Sequence, residues 1–174
     1  STSLLPEVGQ PKNVACGNAR CGLVQLAPVP GVFGWREGDT MPTQLLEGDL
    51  QWVGGLAMSD EQAWWGTDNG LFTGDFATGE VRQAVDGGRI THVRVSEGDY
   101  ILFVDLTDEE PLVNTLWRLD DTADSGKTLL LREELFPYVE PRPPATHVYL
   151  RERNASDRDT QRIWRVNIAE RTSE

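Results

Sequence analysis

The chain holds 174 residues, with 28 acidic against 16 basic side chains and a formal charge of −12. That balance argues against a nucleic-acid binder, which needs clustered Lys and Arg. Lysine occurs only at Lys12 and Lys127, so a polybasic membrane patch is excluded on the same ground, and no apolar run nears the ~20 residues of a spanning helix.

Residues 1–31 carry Pro6, Pro11, Pro28 and Pro30 with four glycines, and read as an irregular leader with at most a short strand at Leu23–Leu26. Inside it stand the only two cysteines, Cys16 and Cys21. Gly17 and Asn18 between them tolerate unusual backbone angles, so a small disulfide loop is expected, the alternative being two reduced thiols. Zinc is disfavoured, because two Cys at this spacing make neither a finger nor a ribbon, and His92 and His147 lie far along the chain. The chain opens on Ser1 with no charged-then-apolar leader, as expected of a processed or trimmed chain. Together with the Cys pair, this predicts an extracytoplasmic location, periplasmic or secreted. Asn154-Ala155-Ser156 matches a glycosylation sequon, which matters only in a secreted eukaryotic protein.

From Val32 onward, short β-branched and aromatic runs alternate with turn signals. These are Glu37-Gly38-Asp39, Glu47-Gly48-Asp49, Asp68-Asn69-Gly70, Thr78-Gly79-Glu80, Asp86-Gly87-Gly88, Glu97-Gly98-Asp99 and Ser125-Gly126-Lys127. Such spacing predicts an all-β chain of antiparallel hairpins. One helical turn over Glu133–Val139 is stopped by Pro137, and Pro141-Arg142-Pro143-Pro144 reads as a linker or long loop.

The hairpins repeat. Thr91-His92-Val93-Arg94-Val95 returns as Thr146-His147-Val148-Tyr149-Leu150, and Leu116-Trp117-Arg118-Leu119-Asp120 as Ile163-Trp164-Arg165-Val166-Asn167, in the same order. A weaker copy lies upstream in Leu56-Ala57-Met58 and Leu71-Phe72-Thr73-Gly74-Asp75. Two copies have a further apolar strand between the anchors, Ala63–Thr67 and Tyr100–Val104, and another after them, Glu80–Val85 and Thr128–Leu131. Each unit is thus four short strands, the strand count of a propeller blade, and a sheet that small must stack on a neighbour. The tryptophans of the Trp-Arg pairs are expected to fill the gap between sheets, with the arginine stem over the edge.

Residues 64–81, with Trp65, Gly66, Thr67, Asn69, Gly70, Leu71, Asp75, Thr78 and Gly79 at the matching positions, resemble one repeat of the regulator-type β-propellers. The resemblance implies a propeller-like array of four-stranded antiparallel blades, with a β-sandwich as the alternative. It is common in periplasmic sensor regions, so it also implies an extracytoplasmic setting. The units fall at about 50–85, 90–132 and 145–170, with a partial one at 23–46, within a repeat domain over 32–174. Three to four blades sit at the lower limit of a closed ring. The ring closes on the leader, or is completed by other chains, or stays open and covered by partners; assembly with other chains is the expectation.

Candidate sites are few. His92 and His147 are expected at equivalent positions, either as a paired ligand site at a channel mouth or as two blade-opening histidines bonded to neighbouring loops. The acids Asp105, Asp108, Glu109 and Glu110, and Asp120, Asp121 and Asp124, miss calcium-loop spacing and read as solvated hairpins. Trp35 and Trp64 are candidates for stacking on a sugar or partner, or else inter-blade packing. No phosphate loop, nucleophile elbow or zinc-protease motif occurs, so no catalytic residue, metal or cofactor is assigned. The expected function is a non-catalytic binding or scaffold protein docked to other protein chains. The alternatives are a receptor's ligand-sensing domain and a glycan-active hydrolase or lyase.

Overall fold

The computed structural model describes residues 11–16, 19–25, 30–47, 54–95, 100–106, 113–120, 128–134, 139–142, 147–152, 163–167 and 172–173. All regular structure among them is strand. Four antiparallel sheets of four strands follow one another, each in plain sequence order. The first sheet is β1 (Pro11–Cys16), β2 (Arg20–Gln25), β3 (Gly31–Arg36) and β4 (Thr43–Glu47). The second is β5 (Gly55–Met58), β6 (Gln62–Thr67), β7 (Gly70–Asp75) and β8 (Val81–Asp86). The third is β9 (Arg89–Val95), β10 (Tyr100–Leu106), β11 (Val113–Asp120) and β12 (Thr128–Glu134). The fourth is β13 (Val139–Arg142), β14 (His147–Glu152), β15 (Ile163–Asn167) and β16 (Thr172–Ser173). The molecule is a propeller-like array of blades.

The sheets stack through their first strands. β1 packs on β5, β5 on β9 and β9 on β13, while the last strands β12 and β16 meet at the periphery. Two apolar seams result. Between the first and second sheets lie Val24, Val32 and Leu46 against Leu56, Met58, Ala63 and Trp65. Between the second and third lie Ala57, Trp64, Leu71 and Val85 against Ile90, Val93, Ile101, Phe103 and Leu119. Successive strand residues point to opposite faces, so the adjacent Trp64 and Trp65 enter different seams, 2% and 1% exposed. This fixes Trp64 as inter-blade packing.

The repeat signature of residues 64–81 has a physical cause at each position. Gly66 lies beneath Ile90, whose side-chain Cβ and Cγ2 would stand 2.8 and 2.7 Å from any added Cβ. The Thr67 hydroxyl donates to the Gly70 carbonyl (3.1 Å) and accepts from the Asn69 N–H (3.0 Å), tying the turn between β6 and β7. Leu71 is wholly buried. Asp75 Oδ1 accepts from the backbone N–H groups of Ala77 and Thr78 and from the Thr78 hydroxyl, at 2.8–3.1 Å. Gly79 closes that turn at φ 72°, a left-handed conformation that other residues adopt at a cost. Asp75 is held below its ordinary value of 3.8, first by the Thr78 N–H, then by the Thr78 hydroxyl and the Ala77 N–H.

Two expectations are corrected. The composition of residues 1–31 predicts an irregular leader, yet β1 and β2 form there and complete the first sheet. Gly22 acts there as a packing residue, since Met58 fills the space of its missing side chain. The proline cluster at 141–144 predicts a linker, yet Pro141 pairs with Leu150 inside β13. Proline is tolerated because β13 is an edge strand, where a missing N–H need not cost a ladder bond. The turns at 97–99 and 125–127, the sequon at 154–156, residues 135–138 of the predicted helical turn, and Asp108, Glu109, Glu110, Asp121 and Asp124 lie outside the described residues.

Candidate docking face

The third strand of each sheet carries an aliphatic residue followed by an aromatic one: Val32-Phe33, Leu71-Phe72, Leu116-Trp117 and Ile163-Trp164. In the first three sheets the register to the last strand slips by one residue between these two positions. The pair works as a two-sided key. Phe72 packs into the seam with the preceding sheet, while Leu71 enters the seam with the following one. Trp117 likewise packs back onto the second sheet, and Leu116 lies on the opposite face, 3% exposed. In the first sheet Val32 enters the seam with the second. Phe33 therefore points where a preceding sheet would lie, and it belongs to neither apolar seam.

That outer face of the first sheet is apolar. Cross-strand partners share a face, so the register puts Val14, Leu23 and Phe33 in one row and Cys16, Cys21 and Trp35 in the next. Exposure along it is uneven: Val14 is 60% exposed and Phe33 and Trp35 are half-buried, whereas Leu23 and Gln25 on the same face are buried. Cys16 and Cys21 are bonded across the tip of the β1–β2 hairpin, so the expected disulfide forms. Among the described residues, no seam comparable to the two above joins the first sheet to the fourth. On the fourth sheet Val166 is fully buried, while Tyr149 and Arg165 on the opposite face are exposed and Asn167 is half-buried.

The structure separates the two histidines by strand order. His92 lies in β9, the first strand of its sheet, half-buried with Nδ1 3.1 Å from the Thr91 hydroxyl. His147 lies in β14, the second strand of its sheet, and its Nε2 stands 3.0 Å from Arg165 Nη2. A guanidinium only donates, so this ring nitrogen is the acceptor in the contact. The equivalence drawn from Thr-His-Val is corrected accordingly: His147–Leu150 lies in β14, the counterpart of β10, and β13 occupies the place of β9. The Trp-Arg segments, by contrast, are both third strands. Among the described residues, no three His, Cys, Asp or Glu side chains are grouped to hold a metal ion, and no helix is long and apolar enough to cross a membrane.

No protein-family model matches the sequence, and no curated protein matches it. Solved structures do resemble the fold. TolB from Acinetobacter baumannii superposes with a TM-score of 0.68 at 9% identity, covering 95% of this chain and 43% of that one. A putative TolB from Agrobacterium tumefaciens gives 0.65 at 13% identity, covering 90% and 60%. The calcium-binding protein regucalcin from Agrobacterium tumefaciens gives 0.62 at 15% identity, covering 94% and 58%. These are β-propeller proteins, and at such identities the likeness is one of fold. The chain spans 43–60% of their lengths.

Proposed function

We propose that this chain is a non-catalytic binding or scaffold protein, which docks to another protein chain in an extracytoplasmic assembly through the outer face of its first sheet. One observation carries the reading: Phe33 occupies the strand position whose aromatic counterparts, Phe72 and Trp117, pack onto a neighbouring sheet. The occupant is an apolar β-sheet face of another polypeptide, because sheet faces are what the same key grips at the two internal seams. Val14 and Trp35 widen that surface, and half-buried aromatics at a patch centre are the side chains that dominate binding energy. The disulfide supports the extracytoplasmic setting, since such bonds persist where thiols are not kept reduced.

The test places a photo-reactive side chain at position 14 of the whole protein in the cells that make it. The expected product is a covalent adduct with a second polypeptide, the linked peptide coming from an apolar strand. Trp35→Ala should weaken that association at least about tenfold without unfolding the chain. A monodisperse monomer that yields no adduct overturns the reading. For the compartment, thiol labelling of the protein as isolated should find neither cysteine free; two labelled cysteines would overturn the extracytoplasmic setting.

A further inference from the structure

A second surface, on the second sheet, is unrelated to the outer face of the first. A recess of about 190 Å³ opens there, lined by Gln62, Thr73, Asp75, Thr78, Glu80 and Arg82. The register makes it a property of the sheet: Gln62 lies opposite Asp75, and Thr73 opposite Arg82, all on one face. Two polar atoms in its lining are buried without partners, the Thr73 hydroxyl and Gln62 Oε1. Thr73 is only 3% exposed. A buried hydroxyl without a partner costs about 1–3 kcal/mol, so its retention on an otherwise apolar seam strand calls for something to bind it.

Of the three charged side chains around it, Asp75 is engaged through one oxygen and the other two are not engaged among the described residues. The three hydrogen bonds that Asp75 accepts from Ala77 and Thr78 all fall on Oδ1, and Asp75 is one of the recess-lining residues. The Glu80 carboxylate and the Arg82 guanidinium make neither a hydrogen bond nor an ion pair among the described residues. The lining thus offers carboxylate and amide oxygens as acceptors, one planar donor fork, and one hydroxyl that does both. Each sign of charge awaits its complement. An inorganic anion would meet two carboxylates, and a bare metal ion would meet the guanidinium. A neutral sugar would leave every charge uncompensated, with no aromatic side chain in the lining to stack on.

We propose that this recess binds a small ammonium carboxylate, a free amino acid, with its ammonium among Gln62, Asp75 and Glu80 and its carboxylate on Arg82. The volume sets the size, because pockets for larger ligands run from about 300 to 1,000 Å³. Two carboxylates against one guanidinium leave the lining with a net charge of −1, so a basic amino acid binds best.

Calorimetric titration of the whole protein with L-lysine, glycine, L-glutamate and glucose tests this. L-lysine should bind saturably, glycine more weakly, L-glutamate at least about tenfold more weakly than lysine, and glucose not at all. Thr73→Val keeps the shape and removes the orphan hydroxyl, so its thermal melt should be equal or higher while lysine affinity falls about tenfold. Arg82→Gln should lower affinity for lysine and glycine alike. Absence of saturable lysine binding, glucose binding as well as lysine does, or unchanged affinity in Thr73→Val and Arg82→Gln would overturn the proposal.

Discussion

Gly66 and Asp75 are single residues on which local geometry depends. Gly66 lets β6 slide under Ile90, and an added methyl would push apart two sheets that cannot part without opening the seam. Gly66→Ala should cost about 1–3 kcal/mol, read as a shift in the urea midpoint. Asp75 acts through charge. Its carboxyl is held ionised to a lower pH in the folded chain than in the unfolded one. Its contribution is therefore complete above the ordinary value of 3.8 and is lost as pH falls through the lower folded value. Asp75→Asn should flatten the acid limb of the stability profile, measured by thermal melts from neutral pH into the acid range. Both roles were legible as motif positions in residues 64–81, since Gly-Thr and Thr-Gly are turn signals whatever the fold. The task of Thr73 was not, because an unpartnered hydroxyl is a property of what surrounds it.

At the scale of the element, the second and third sheets were readable because their inner strands are contiguous apolar runs, Ala63–Trp65 and Tyr100–Val104, and because Asn-Gly, Thr-Gly and Gly-Gly mark turns. The fourth was misaligned by one strand. Its first strand has only four residues and includes Pro141, so local propensity points to a loop while pairing with β14 decides otherwise. The first sheet was hidden for a related reason. Its glycines look like breakers, yet Gly22 and Gly34 lie where Met58 and Leu45 side chains come close. The aliphatic–aromatic key emerges only when third strands are superposed, which is why Trp35 was singled out from sequence and Phe33 was not. Burial on both faces sets the energetic scale of these strands. Phe103→Ala in β10, fully buried in the seam, should cost about 3–5 kcal/mol. Val81→Ala in the outermost strand β8, 40% exposed, should stay within about 0.5 kcal/mol. Equilibrium denaturation of the two variants checks the contrast.

Across the whole molecule, stability is a chain of nearest-neighbour seams, as in other stacked arrays. β6 and β7 have neighbouring strands on both sides and contribute to seams on both faces. Their amides should exchange with solvent only through global unfolding, and those of the free edge of β4 much sooner, as native-state hydrogen exchange would register. The docking face has a further property that follows from where the cystine sits. Cys16 and Cys21 close the tip of the β1–β2 hairpin in the row that holds Trp35, while the Ala19 N–H of the same tip donates to Asp60 of the second sheet at 2.9 Å. Severing that link releases a loop whose closure is worth about 2 kcal/mol, and the loss falls beside Trp35 rather than in the shared interior. A host whose cytoplasm is rich in glutathione would thus deliver protein with sound inner packing and a slack recognition edge. Purity and melting curves would look acceptable while attachment failed, so secretion into an oxidising compartment is the sound route for producing material meant for partner studies.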